Sequence, residues 1–322
     1  MIRSMYSGIS GLKNFQTKLD VIGNNIANVN TYGFKKGRTI FKDLISQTTS
    51  GASAATGTRG GVNAKQVGLG SQLSAIDTIH SGGSLQSTGN TLDLAISGDG
   101  FFMVGDGQVT KAADGTVTTS EGFTSVLYTR AGNFYMDSNG SLVNADGKYL
   151  VGFAADDISD TLTPEGQETT IITKPEDTSA GENLSVNGAN PTSTAGTYQP
   201  IRIPTNAQSM SIGQDGTVNY VDINGKLQYA GTIAMAKFSN PGGLQKVGSN
   251  YFQQTANSGD QYVQFGTAGG MGSVNSGFLE MSNVDLSEEF TDMIVAQRGF
   301  QANTRIITTS DQILEELVNL KR

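Results

Sequence analysis

The stretch NNIANVNTYGFKK (Asn24–Lys36) decides how the chain is built. It sets four asparagines, Asn24, Asn25, Asn28 and Asn30, into a helical pattern, breaks off at Thr31-Tyr32-Gly33 and leaves on a basic, aromatic tail. Upstream of it Met5, Gly8, Leu12, Phe15, Leu19, Ile22, Ile26 and Val29 recur at alternating spacings of three and four. That is the a/d seam of a heptad helix, interrupted only by Gly8, and it predicts a helix through residue 29. Gly33 lies just beyond, where a left-handed helix stop favours glycine.

The far end carries the same repeat. Met293, Ala296, Phe300, Asn303, Ile307, Ser310, Leu314 and Leu317 again alternate by three and four. Asp285 with Glu288 reads as an N-terminal cap, Glu288 and Glu289 sit where the helix dipole favours acid, and Lys321 and Arg322 sit where it favours base. A second apolar row, Ile306, Ile313 and Leu320, widens the stripe toward a third helix. Gly8, Ala296, Asn303 and Ser310 weaken the seam but fix register and permit close approach. Two readings stand: ordinary amphipathic helices on a common core, or helices that gain most from neighbouring copies. Placement at the two extremes of a long β-like body argues for the second, because so small a pair buries both faces poorly by itself.

Between the helices the period changes. LDLAISGDGFFMVGDG (92–107) reads as strand, turn, strand, turn. Asn139-Gly140, Asp146-Gly147, Asp215-Gly216 and Asn224-Gly225 are favoured hairpin turns, so this body is antiparallel β. Residues 46–70 are rich in Ser, Thr, Ala and Gly and are expected to be flexible, making 34–70 a connecting segment. The β core is then 71–153 and 199–283, and the helical assembly domain is 1–33 and 284–322. Residues 154–198 hold eight acids against one base, Lys174, and three of the chain's six prolines. They read as an acidic insertion, a small outer subdomain or a loop.

Composition excludes more than it suggests. With 42 glycines and 16% charged residues, the chain of 322 suits many short strands. It has no cysteine, which rules out disulfides and thiolate metal sites. A net charge of −8 gives no pull toward nucleic acid or an anionic membrane, and no apolar run is long enough to span a bilayer. The start lacks the apolar core of a signal peptide. His80 is the single histidine and reads as structural or solvent-exposed, not catalytic. The Asp137–Gly140 and Asp222–Gly225 stretches lack the full calcium-loop ligand series and read as turns. No nucleophile–base set, metal cluster or dinucleotide loop stands out, so no enzyme, cofactor or metal is expected. A secreted adhesin with helical ends is the competing class.

GLKNFQTKLDVIGNNIANVNTYGFKK (11–36) closely resembles the signature of the bacterial flagellar rod and hook axial proteins. Residues 284–322 look like the matching C-terminal segment, and 91–104 and 128–153 look like the shared β core. The resemblance implies a mainly β fold with α-helical termini, an antiparallel β body flanked by heptad helices that form a coiled-coil inner layer on assembly. It implies a homo-polymer, a helical tube around an export channel, on the outside of the cell. Subunits would pass through the flagellar type III export apparatus without a cleaved signal. Partners would be the distal rod protein, the hook cap and the hook–filament junction proteins, with no nucleic acid and no membrane insertion. The assembly interface is then expected at Leu12, Phe15, Leu19, Ile22, Ile26, Val29, Met293, Phe300, Ile307, Leu314 and Leu317, with Asn24, Asn25, Asn28, Asn30 and Gly33 as the helix-end motif. Of the family's members, the insertion at 154–198 and the Gly/Ala/Thr content of 46–70 favour the hook subunit over the distal rod.

Overall fold

The structure is a computed structural model that describes residues 2–107, 109–111, 117–119, 123, 125–154 and 198–320. The acidic insertion expected over 154–198 lies outside the described residues apart from its two edges, as do Lys321 and Arg322. The chain divides into two compact units.

The first unit comprises Met1–Val29, Lys35–Ile79 and Val284–Arg322. Its frame is two helices, α1 (Ile2–Ala27) and α2 (Leu286–Asn319). Gly8 faces Ile307, Gly299 faces Phe15 and Asn25 meets Glu289, so the helices run antiparallel. Asp285 caps α2 as expected, its carboxylate accepting from the backbone N–H groups of Ser287 (2.8 Å) and Glu288 (3.4 Å).

The connecting segment departs from expectation. It is not a flexible linker over 34–70. Strand β1 (Gly37–Asp43) pairs antiparallel with β4 (Ser71–Thr78), from Gly37 opposite Thr78 to Asp43 opposite Ser71. Between them β2 (Ser46–Ser50) pairs with β3 (Lys65–Gly68), and bridges at Ser53–Val62 and Thr56–Arg59 carry the ladder outward. Composition misled here because a hairpin ladder needs backbone groups, not large side chains. Gln66 Nε2 adds a cross-strand bond to Thr48 Oγ1 at 3.1 Å. The β core therefore does not begin at residue 71, since β4 belongs with the helices.

The second unit comprises Asn30–Phe34 and His80–Asn283. A 13-stranded sheet runs through it, and every pairing in it is antiparallel. Strand Phe101–Asp106 lies centrally, between Ser125–Thr129 and Tyr149–Ala154. Its alternation serves two cores. Phe102 and Val104 join Leu94, Ile96, Phe134 and Leu150 on one face, while Phe101 and Met103 join Tyr128, Phe238 and Phe252 on the other. A strand buried on both faces reads as a continuous apolar run, which FFMV is. The four hairpin glycines, Gly140, Gly147, Gly216 and Gly225, all have φ between +74° and +82°, so the turn signals located these hairpins.

Candidate assembly surface

The asparagine-rich stretch splits between the two units. Helix α1 ends at Ala27, so Val29 and Gly33 are not its last seam position and its helix stop. The asparagines end it early. The Asn28 backbone and side-chain amides both donate to the Asn24 carbonyl, which satisfies a helix-end carbonyl locally. Asn24 and Asn30 are exposed.

Asn25 does something else. It is buried at 1% exposure and clamps Gly37, donating from Nδ2 to the Gly37 carbonyl and accepting its N–H at Oδ1, both at 2.9 Å. The same Nδ2 donates to Glu289 Oε2 of α2 at 3.2 Å. One side chain thus ties α1, β1 and α2. Lys36 pairs with Glu288 (2.7 Å) and Lys18 with Asp292 (3.1 Å) around it.

Glu289 is itself buried, and burial pushes its carboxyl above the usual carboxylate range, while the Asn25 amide and the Lys36 ammonium pull the other way. An acid raised on folding holds its proton better in the folded state. Its contribution is fully present below the unfolded value and is lost as pH rises through the folded one. Helix-unit stability should therefore fall as pH is raised from the ordinary glutamate value toward neutrality. Glu289→Gln should flatten that dependence in urea titrations followed by circular dichroism at several pH values. An unchanged slope would contradict this role.

In the second unit Gly33 takes a left-handed φ of +70°, and its N–H donates to the Glu280 carbonyl at 2.8 Å. A methyl group at Gly33 would lie 2.5 Å from the Ala131 nitrogen. Glycine is required here by a close backbone approach, not by a helix end. Gly33→Ala should cost about 1–3 kcal/mol, the strain of a non-glycine residue held in this region. Urea denaturation measures this cost, and a loss well below that range would show that the backbone gives way easily. Tyr32 accepts from Asn250 Nδ2 at its carbonyl (3.1 Å), and the Lys246 ammonium sits 4.9 Å from the Phe34 ring centre.

Seam residues Gly8, Phe15, Asn303 and Ile307 meet between the helices. Phe15 lies over Gly299, where a methyl group would come within 2.5 Å of its ring, and Ile307 lies over Gly8. Gly11 faces Asn303 in the same way. Small residues here allow close packing. Sequence reasoning noted Gly8 as a small seam residue that permits close approach but missed Gly11 and Gly299, whose spacing is off the apolar row. Ile22 and Ala296 are buried. Leu12, Leu19, Ile26, Met293, Phe300 and Leu314 are half-buried, and Val29 is half-buried beyond the helix end.

Much apolar surface is left uncovered in the single chain. The second row stays exposed, with Ile306 at 45%, Ile313 at 42% and Leu320 at 82%, and the seam residue Leu317 is exposed at 48%. Phe290, Ile294 and Val295 add a patch near the start of α2, and Tyr6 and Ile9 add one on α1. Covering what such a half-exposed side chain still shows is worth about 1 kcal/mol, roughly half of a full burial.

Among the described residues no catalytic arrangement competes with this surface. His80 packs against Phe101 and Phe252, with ring centres 5.5 and 5.3 Å apart. Among the described residues no three His, Asp or Glu side chains gather as a metal site. The Asp137 and Asp222 loops close as turns, each carbonyl accepting from the glycine three residues on. No described helix is long and apolar enough to cross a membrane.

Comparison with known proteins adds three family matches along the chain. The model described as "Flagella basal body rod protein" matches residues 5–35, "Flagellar hook protein FlgE/F/G D1 domain" matches 95–220, and "Flagellar basal body rod FlgEFG protein C-terminal" matches 275–320. The chain is 53% identical to the flagellar basal-body rod protein FlgG of Bacillus subtilis over 324 positions, covering all of both chains. It is 36% identical to the flagellar hook protein FlgE of Borreliella burgdorferi over 459 positions and 35% identical to the basal-body rod protein FlgG of the same organism over 324, again with full coverage of both chains.

Proposed function

Because the chain belongs to the flagellar rod and hook axial-protein family, whose members are structural subunits and not enzymes, we propose that it polymerises into the flagellar axial tube as the hook subunit. The observation that carries assembly is the uncovered apolar row on α2, Ile306, Ile313, Leu317 and Leu320. A lone chain leaves that row in water, and a neighbouring copy removes it. The seam residues between α1 and α2 hold the pair that presents this row.

Three features support the hook position. In the sequence the acidic, proline-containing segment 154–198 lies between two stretches of the β body, a composition suited to an outer domain. The hook relative of B. burgdorferi aligns over 459 positions against a chain of 322, so it carries a long stretch without counterpart here, yet it matches this chain as well as that organism's rod protein does. Sparse charge and glycine-rich turns suit outer contacts that re-form at low cost while a tube bends. The distal rod is the second reading, favoured by the 53% identity to the B. subtilis protein named for the rod. In either position the subunit would leave the cell through the flagellar export apparatus, and it would meet the distal rod protein, the hook cap or the junction proteins at the ends of its segment.

Deletion of the gene in its host, with purified basal bodies viewed by electron microscopy, tests both readings. Complete straight rods lacking the curved segment are the expected result. Rods that stop short would move the chain to the distal rod, and intact flagella would overturn the axial assignment.

A further inference from the structure

Two Asn-Gly turns in the second unit have the same loop but different anchorage. In both, the aspartate three residues before the glycine accepts the glycine N–H at 2.8 Å, and the aspartate N–H donates across the loop at 2.9 Å, to Ser141 in one and Lys226 in the other. The first turn is clamped from outside. Arg202 Nε donates to the Asn139 carbonyl at 2.7 Å, Ile203 N–H donates to the Gly140 carbonyl at 2.8 Å, and a methyl group at Gly140 would overlap the Ile203 carbonyl. Gly140 is buried.

The second turn is open. Asn224 and Gly225 are exposed, and the space around Gly225 is empty to 4 Å. Among the described residues its tie beyond the loop is the Gln208 side chain donating to the Ile223 carbonyl at 2.9 Å. The Asn224 amide leans on the neighbouring Asp222 Oδ2 at 3.2 Å.

We propose that Asn224 is a site of spontaneous deamidation in the folded protein and that Asn139, with the same Asn-Gly sequence, is protected by its clamp. The backbone nitrogen of Gly225 attacks the side-chain carbonyl carbon of Asn224. The bond to the amide nitrogen breaks, and ammonia leaves with the proton from the Gly225 N–H. Solvent water then opens the cyclic imide at either carbonyl, giving aspartate or isoaspartate. Glycine makes this attack possible because no side chain blocks the nitrogen. The step needs the turn to open, and opening at 222–226 breaks the Gln208 side-chain bond, whereas opening at 137–141 breaks the bonds to Arg202 and Ile203 and moves a buried glycine. The product places a new carboxylate beside Asp222, between the exposed side chains of Ile223 and Leu227. An old subunit would therefore present a more acidic hairpin than a new one.

The test is peptide mass spectrometry of the purified full-length chain aged in mildly alkaline buffer, once native and once in urea. In the native chain the Asn224 peptide should convert about tenfold faster than the Asn139 peptide, the ratio expected if the clamp adds even one hydrogen bond to the cost of opening. In urea the two rates should converge. Gly225→Ala should slow the Asn224 reaction in both conditions. Equal native rates, faster loss at Asn139, or an unmodified Asn224 in a native sample whose urea control reacts would each overturn the proposal.

Discussion

Glu280→Ala should cost the β body about 3–5 kcal/mol, the range for leaving one partner of a buried ion pair uncompensated. Glu280 is 1% exposed and its Oε2 lies 3.2 Å from Arg130 Nη1, which is itself 3% exposed. The pair closes a junction. Glu280 Oε1 accepts the Gly83 N–H at 3.0 Å, and its backbone carbonyl accepts the Gly33 N–H. Arg130 also donates to the carbonyls of Gly98 (2.8 Å) and Ile96 (3.4 Å) and lies 5.4 Å from the Phe101 ring centre. Without the carboxylate a guanidinium stays in a dry site with neutral acceptors only slightly offsetting its lost hydration. Urea denaturation measures the loss, followed by tyrosine emission because the chain has no tryptophan. The double variant Arg130→Met with Glu280→Leu should recover part of it, since the stranded charge is gone. A loss below about 1 kcal/mol for the single variant would mean that water reaches the site and that the pair behaves as a surface one.

The second large effect concerns assembly. Ile313→Asp combined with Leu317→Asp should cost the isolated subunit only about 1 kcal/mol each, because the two side chains are 42% and 48% exposed in the single chain. Polymerisation should be abolished. Each contact would lose about 1 kcal/mol per side chain, the part of a full burial that these half-exposed residues still have to gain, and each aspartate would add a desolvation cost at every copy. Leu19→Asp and Ile307→Asp, placed between the helices, should also block tubes but should loosen the helix pair first. Sedimentation and circular dichroism separate the two outcomes. Normal tubes from the Ile313/Leu317 variant would remove this face from the assembly surface.

The sequence made the elements legible wherever a local rule acts alone. Period 3.5 marked both helices, Asp285 marked the start of α2, and Asn-Gly and Asp-Gly pairs marked the hairpins. Rules that depend on distant partners were not legible. Gly33 looked like a helix stop because glycine after a seam usually is one, but its φ answers to Ala131, almost a hundred residues away. Asn25 looked like part of a cap and instead bridges three elements. Residues 46–70 looked flexible because their composition carries no core, yet ladder hydrogen bonds need none. The second apolar row was legible as a widening of the stripe toward a third helix, because periodicity reports the width of a stripe, and in the single chain that row is exposed. Nothing in one chain's sequence says which side a neighbour covers.

Hydrogen exchange on the free subunit and on assembled tubes tests that last point most directly. The account predicts a large gain in protection on assembly over α1 and over 306–320 of α2, with little change in the hairpin 209–233. Tubes in which 306–320 exchanges as fast as in the free subunit would contradict it, because the apolar face of α2 would then still be in water.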